Sequence, residues 1–144
     1  MNLEANLEKY AELLVSIGLN LKPGDNLTIR FSADSLPLAR LVSRKAYERG
    51  ALDVHLEFTD DIITLDRYLY ASTEALEYFP SYVVDFNEAL FKDNHHVLSL
   101  GTPNPDLLKP VDPTKIAKWQ RTAGKASKRL QHPSEVLKEG QEVK

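Results

Sequence analysis

Residues 26–59 set one 3.6-period stretch between two period-two stretches, and no other feature of the chain constrains its fold as much. Leu27, Ile29 and Phe31 alternate with Thr28, Arg30 and Ser32, the pattern of a strand whose side chains point to opposite faces. Leu38, Leu41, Val42 and Ala46 then supply the buried side of a helix. Ser35 is placed to cap it, Pro37 is tolerated in its first turn and Gly50 closes it. Leu52, Val54, Leu56 and Phe58 again alternate with polar residues. Strand, helix and strand joined so closely form a βαβ unit, with parallel strands and a right-handed crossover.

The flanks extend this unit. Leu3, Leu7, Tyr10, Leu14, Ile17 and Leu21, with Leu13 beside them, recur at intervals of three and four, so the spacing predicts an amphipathic helix buried along that stripe and ended by Gly18. Lys22-Pro-Gly-Asp25 reads as a turn. Residues 60–92 are helical and rich in Tyr and Phe, and Pro80 divides them into two helices. A third strand is expected over His96–Leu100, then an irregular Thr102–Pro105, then a helix from Asp112-Pro113 to about Leu130. The expected fold is α/β, a small and incomplete doubly wound, mostly parallel sheet with flanking helices, because sheets of this class usually have five or six strands. One domain over residues 1–130 is expected, followed by a frayed tail over 131–144 that holds little apolar material.

Composition removes several function classes. The chain has 144 residues and no cysteine, which excludes a disulfide framework, a cysteine-ligated zinc site and thiol catalysis. That absence fits a reducing cytoplasm. No apolar run reaches 18 residues, so neither a membrane span nor a signal peptide is expected. The net charge of −3 is unevenly spread: residues 1–114 carry 10 Lys/Arg and 18 Asp/Glu, residues 115–144 carry 8 and 3. With only Trp119 among the aromatics there, this basic end reads as a solvated helix face and not as a nucleic-acid footprint.

In open parallel sheets ligands gather beyond the carboxyl ends of the strands. Asp34, Asp60, Asp61 and Asn104 fall at those ends and are the candidate site, an oxygen-rich cluster suited to a hard cation or a substrate ammonium. The competing reading is that Asp34 and Asp60 cap the helices that follow. No glycine follows the first strand, so nucleotide-binding loops are absent, and G-x-S-x-G is absent too. His55, His95, His96 and His132 lack zinc-site spacing, and His95 and His96 would point to opposite faces of a strand. Thr28, Arg30 and Ser32 share a face, as do Asp53, His55, Glu57 and Thr59; if the strands are neighbours, Arg30 lies near His55 or Glu57. That polar face is either solvated, with cross-strand ion pairs, or a docking surface.

Four segments carry a family resemblance: Asn6–Gly18 (NLEKYAELLVSIG), Leu21–Arg30 (LKPGDNLTIR), Ala46–Asp61 (AYERGALDVHLEFTDD) and Pro105–Gln120 (PDLLKPVDPTKIAKWQ). In this order and spacing, residues 2–125 resemble the N-terminal region of the aminopeptidase T and aminopeptidase S family of bacterial metallo-aminopeptidases. The resemblance implies an exopeptidase that releases N-terminal amino acids from peptides with divalent metal ions of zinc or cobalt type. It also implies homodimers of longer chains whose metal-binding residues lie in a larger C-terminal part. None of those positions has a counterpart here, so no catalytic, cofactor or metal residue is carried over. The chain departs from the family pattern near Ser127. It is therefore expected to be a truncated N-terminal domain, inactive alone, whose peptide substrates meet the missing part. The alternatives are a stand-alone binding domain of the same fold and, more weakly, a phosphoacceptor domain using Asp60 or Asp61. Unpaired sheet edges further predict self-association.

Overall fold

The computed structural model describes residues 3–90, 92, 95–101 and 104–127. Helix α1 spans Leu3–Leu13 and passes into a π turn over Leu14–Gly18. Strand β1 is Asn26–Phe31; a 3-10 turn at Ala33–Ser35 leads into α2, Leu36–Glu48, and β2 is Asp53–Phe58. Three helices follow, α3 (Asp61–Tyr70), α4 (Thr73–Leu76) and α5 (Ser81–Leu90). Strand β3 covers His95–Ser99 and helix α6 covers Pro113–Ser127. The chain forms two compact units, residues 1–61 with 92–105, and residues 62–91 with 106–144.

The first unit holds the sheet. All three strands are parallel in the order β2-β1-β3, so the expected βαβ unit is present with β1 at its centre. The open, three-stranded α/β sheet agrees with the sequence pattern. Leu27 pairs with Val54, Ile29 with Leu56 and Phe31 with Phe58, and paired residues of neighbouring strands share a face. Leu27, Ile29 and Phe31 form the core with Ala39, Val42 and Ala46 of α2 and with Ala11, Val15 and Leu21. Ala39 and Ala46 of α2 keep side-chain bulk small where that helix packs on the sheet, and Ala11 belongs to α1, which packs on α2.

The N-terminal helix buries a different face from the one its spacing predicts. Leu3, Tyr10, Leu13 and Ile17 are exposed, whereas Ala11, Val15 and Leu21 are wholly buried. Ala11 already lies on the buried face within α1, and beyond it the π turn shifts the phase again: Leu19 N–H donates to Leu14 O at 2.8 Å, five residues back, inserting one residue. Beyond Gly18, the expected end, Leu21 N–H donates to Val15 O at 3.0 Å and satisfies a terminal carbonyl.

The Lys22–Asp25 turn is present and reaches across the sheet. Gly24 and Gly50 have φ of 91° and 95°, and Gly24 N–H donates to Gly50 O at 2.9 Å. Strand β2 lies at the sheet edge. Leu52, Leu56 and Phe58 are more than half exposed there, so the alternation that predicts a strand does not predict burial. One β2 N–H, that of Val54, donates to the Tyr47 hydroxyl at 3.0 Å.

In the second unit, three helices replace the two expected. Pro80 does break the chain, and Ser72 adds another break by accepting the Ala75 N–H at 3.0 Å, which caps α4. Tyr68, Leu76 and Val111 form a second core with Leu65, Leu108, Ile116 and Trp119 packed on it. Asp112 caps α6 by accepting from the Thr114 N–H at 2.9 Å, with Pro113 at the first helical position. The third strand starts one residue earlier than expected, at His95. The proposed tail, residues 131–144, lies outside the described residues, as do Thr102, Pro103 and His132.

Candidate functional site

Backbone bonds align the carboxyl ends of the three strands. Thr59 N–H donates to Phe31 O at 2.7 Å, and Leu100 N–H donates to Arg30 O at 2.7 Å. Asp34 therefore follows the central strand, Asp60 and Asp61 follow β2, and Asn104 follows β3, all at one end of the sheet. Asp34, Asp61 and Asn104 are exposed and Asp60 is half-buried. Asp34 lies inside the 3-10 turn and not at the cap of α2. The Ser35 hydroxyl, expected to cap α2, instead accepts the Ser32 N–H at 2.9 Å. Asp60 directly precedes α3 and Asp61 is its first residue, where the helix dipole favours a carboxylate.

Among the described residues, no three His, Cys, Asp or Glu side chains gather closely enough to hold a metal ion. The strand-end residues thus share a region without forming a ligand set. What they offer is a negatively charged, oxygen-rich rim that can attract an ammonium group through space.

The polar face of the sheet resolves into specific pairs. Arg30 pairs in register with Glu57, and its Nε donates to Oε1 at 3.1 Å and Oε2 at 3.3 Å. Glu57 is therefore an ion-pair partner of Arg30 across the two strands. Both side chains are about a third exposed, at 39% and 32%, so the pair contributes at most about 1 kcal/mol. Thr28 is fully buried and shares a 2.7 Å hydrogen bond with His95 Nε2. That bond is what allows a polar side chain to sit at the centre of the sheet.

His96 points to the opposite face from His95, as strand alternation requires, and its Nε2 donates to Asp25 Oδ2 at 2.9 Å. Burial acts to raise the Asp25 carboxyl, but the Lys22 N–H and the His96 imidazole outweigh it and hold the carboxyl below its ordinary value. This His–Asp pair is not visible as a motif, because 71 residues separate its members. It lies where β1 and β3 begin, opposite the end where such sheets bind ligands, so its role is to pin the Lys22–Asp25 turn to β3.

The second unit holds an arrangement that sequence reasoning missed. Phe79 stacks on Trp119 with ring centres 5.6 Å apart and planes 18° from parallel, and the Arg67 guanidinium lies 4.1 Å from the Trp119 ring. A cleft of about 450 Å³ beside them is lined by Glu77, Phe79, Lys118, Arg121, Thr122 and Lys125. The 118, 121, 122, 125 spacing along one helix was the available signal.

The strand order, the polar sheet face and the acidic strand ends define an open, parallel-sheet α/β protein. The chain belongs to the M29 family of thermophilic metalloproteases, which it matches over residues 3–137. It is 39% identical over 123 residues to Aminopeptidase 2 of Geobacillus stearothermophilus, an alignment covering 85% of this chain and 30% of that protein. It is 37% identical over 120 residues to Aminopeptidase AmpS of Bacillus subtilis, covering 83% of this chain and 29% of that protein. The solved structure of wild-type AmpT from Thermus thermophilus superposes with a TM-score of 0.79 at 27% identity, covering 88% of this chain and 32% of that one. The chain spans about 30% of the length of the curated relatives it matches. The resemblance carried by the four sequence segments is thereby borne out. Divalent metal belongs to this family's full-length chemistry, but the described residues do not fit a metal site. No metal-dependent step is therefore assigned to them. No described helix is long and apolar enough to cross a membrane.

Proposed function

We propose that this chain is the N-terminal α/β part of a metal-dependent aminopeptidase that releases N-terminal amino acids from peptides, and that it is inactive alone. The observation that carries this reading is the match to about 30% of each aminopeptidase relative without a metal-ligand set among the described residues. In this reading the metal ions, of zinc or cobalt type, bind to further chain. The domain shapes the peptide's approach, with Asp34, Asp60, Asp61 and Asn104 attracting the substrate's ammonium. The working protein is cytoplasmic and homodimeric.

The test is hydrolysis of leucine-, phenylalanine- and arginine-based chromogenic amides by the purified chain with cobalt, zinc or magnesium. No turnover with any metal is expected. Chelator-sensitive turnover that disappears in Asp60→Ala would overturn the proposal and make the strand ends a catalytic site. A second reading, a stand-alone binding domain, is favoured by the exposed Leu56 and Phe58 on β2 and Leu52 just before it. Cooperative unfolding of a monomer at all accessible concentrations would favour that alternative.

A further inference from the structure

We propose that the cleft beside α6 is a binding site for a compact oxyanion, phosphate or carboxylate, that carries an apolar or ring group. Residues 113–127 contain Lys115, Lys118, Arg121 and Lys125 and no acidic residue. Two of these cations have assigned partners. Lys115 Nζ donates to Tyr68 O at 3.2 Å and Leu69 O at 3.3 Å. Lys118 Nζ lies 3.6 Å from Glu77 Oε2. Among the described residues, no carboxylate lies within ion-pair distance of Arg121 or Lys125.

The helix dipole favours a cation in the last turn and so accounts for Lys125, but Lys118 and Arg121 stand in mid-helix. Like charges at three- and four-residue spacings repel, and Lys118, Arg121 and Lys125 accept that repulsion on a single ridge. An anion between them relieves it. The cleft's one carboxylate, Glu77, leaves an excess of two positive charges. Its volume of about 450 Å³ falls within the range of small-molecule sites.

The aromatic part of the lining selects what the anion carries. Phe79 lines the cleft while its ring is held by the stack on Trp119, which Arg67 covers in turn. A ring fixed in this way offers an apolar surface with little ordering cost on binding. Thr122 Oγ donates to Lys118 O at 3.0 Å, so its oxygen presents acceptor character and the cations supply the donors. A flat or aliphatic group against Phe79 with an oxyanion at Arg121 and Lys125 satisfies both the apolar and the cationic lining.

Trp119 is the only tryptophan of the chain, so its fluorescence reports on this cleft. The full chain is titrated at constant ionic strength with phenyl phosphate, inorganic phosphate, N-acetyl-phenylalanine and the uncharged N-acetyl-phenylalaninamide. Saturable change with phenyl phosphate or N-acetyl-phenylalanine, and none with the amide, is the expected result. Which of the two saturates first distinguishes a phosphate ester from a peptide-type carboxylate as the source of the anion.

Arg121→Ala with Lys125→Ala should weaken binding about tenfold or more, since charged hydrogen bonds are lost. Arg40→Ala with Arg44→Ala removes the same charge at the same spacing from α2 and should leave binding unchanged. Glu77→Gln, which removes the competing carboxylate, should tighten it. All these substitutions are at exposed positions, and circular dichroism checks that α6 persists. The proposal is overturned if no small oxyanion gives a saturable change, or if the change survives loss of Arg121 and Lys125. It is also overturned if only a long polyanion such as a single-stranded oligonucleotide binds.

Discussion

Gly50 is the residue at which backbone conformation and packing coincide most tightly. Its φ of 95° is one that side chains rarely adopt, and an added Cβ would lie 3.0 Å from both Cα and Cβ of Pro23. Gly24 has a similar φ of 91°, but nothing lies within 4 Å of its added Cβ. Gly24→Ala should therefore cost roughly the left-handed penalty of 1–2 kcal/mol. Gly50→Ala should cost clearly more, because backbone must move; urea unfolding of the two variants gives the comparison. Asp25 supplies the second residue-scale expectation. Its folded pKa is lowered, so its contribution to stability is present above the ordinary carboxylate value of 3.8 and is lost as pH falls through the folded value. Asp112, lowered by its bonds from the Thr114 N–H and hydroxyl, acts with the same sign. The stability difference between the parent chain and Asp25→Asn should accordingly shrink as pH is lowered below 3.8, and a constant difference would contradict this linkage.

At the scale of elements, the sequence pattern yielded the strands and the βαβ unit because period-two alternation depends only on the strand itself. Burial depends on neighbours, and here the pattern divided. The stripe reads as one face from Leu3 to Leu21, but α1 turns Ala11 inward instead, and the π turn at Leu14–Gly18 separates Ile17 from Leu21. Ile17 is 75% exposed and Leu21 is wholly buried. Leu21→Ala should cost about 2–5 kcal/mol, as truncations of buried leucine do. Ile17→Ala should stay within about 0.5 kcal/mol. Equal costs at the two positions would restore the continuous stripe. The extra break at Ser72 was hidden for a related reason: a capping serine is local chemistry within an otherwise helical pattern. The strand-end residues Asp34, Asp60, Asp61 and Asn104 were placed at one end of the sheet by strand order alone, whereas the Asp25–His96 pair and the Phe79–Trp119 stack join distant segments that no local pattern links.

For the whole molecule the main consequence is an open sheet. Among the described residues three strands leave two edges, and on the β2 side the apolar face is also uncovered: Leu56 is 51% and Phe58 56% exposed, although both share the face of the buried Ile29 and Phe31. The Tyr47 hydroxyl accepts one β2 backbone N–H, that of Val54. Edges of this kind recruit further strands or other apolar surfaces. In a longer aminopeptidase-type protein, further chain is available to cover the β2 side. In this chain by itself, another copy is the surface present at highest concentration. Light scattering should then show a mass that rises with protein concentration. Leu56→Lys with Phe58→Lys should shift that rise to higher concentration, because charge on an edge strand opposes pairing. The substitutions add no buried charge, so the same variant should keep its circular dichroism, while loss of the Phe58 edge contact to Phe31, ring centres 5.5 Å apart, lowers its unfolding midpoint. If the mass is that of a monomer throughout, or if the double variant associates as strongly as the parent, the contact lies elsewhere and the β2 face is simply solvated.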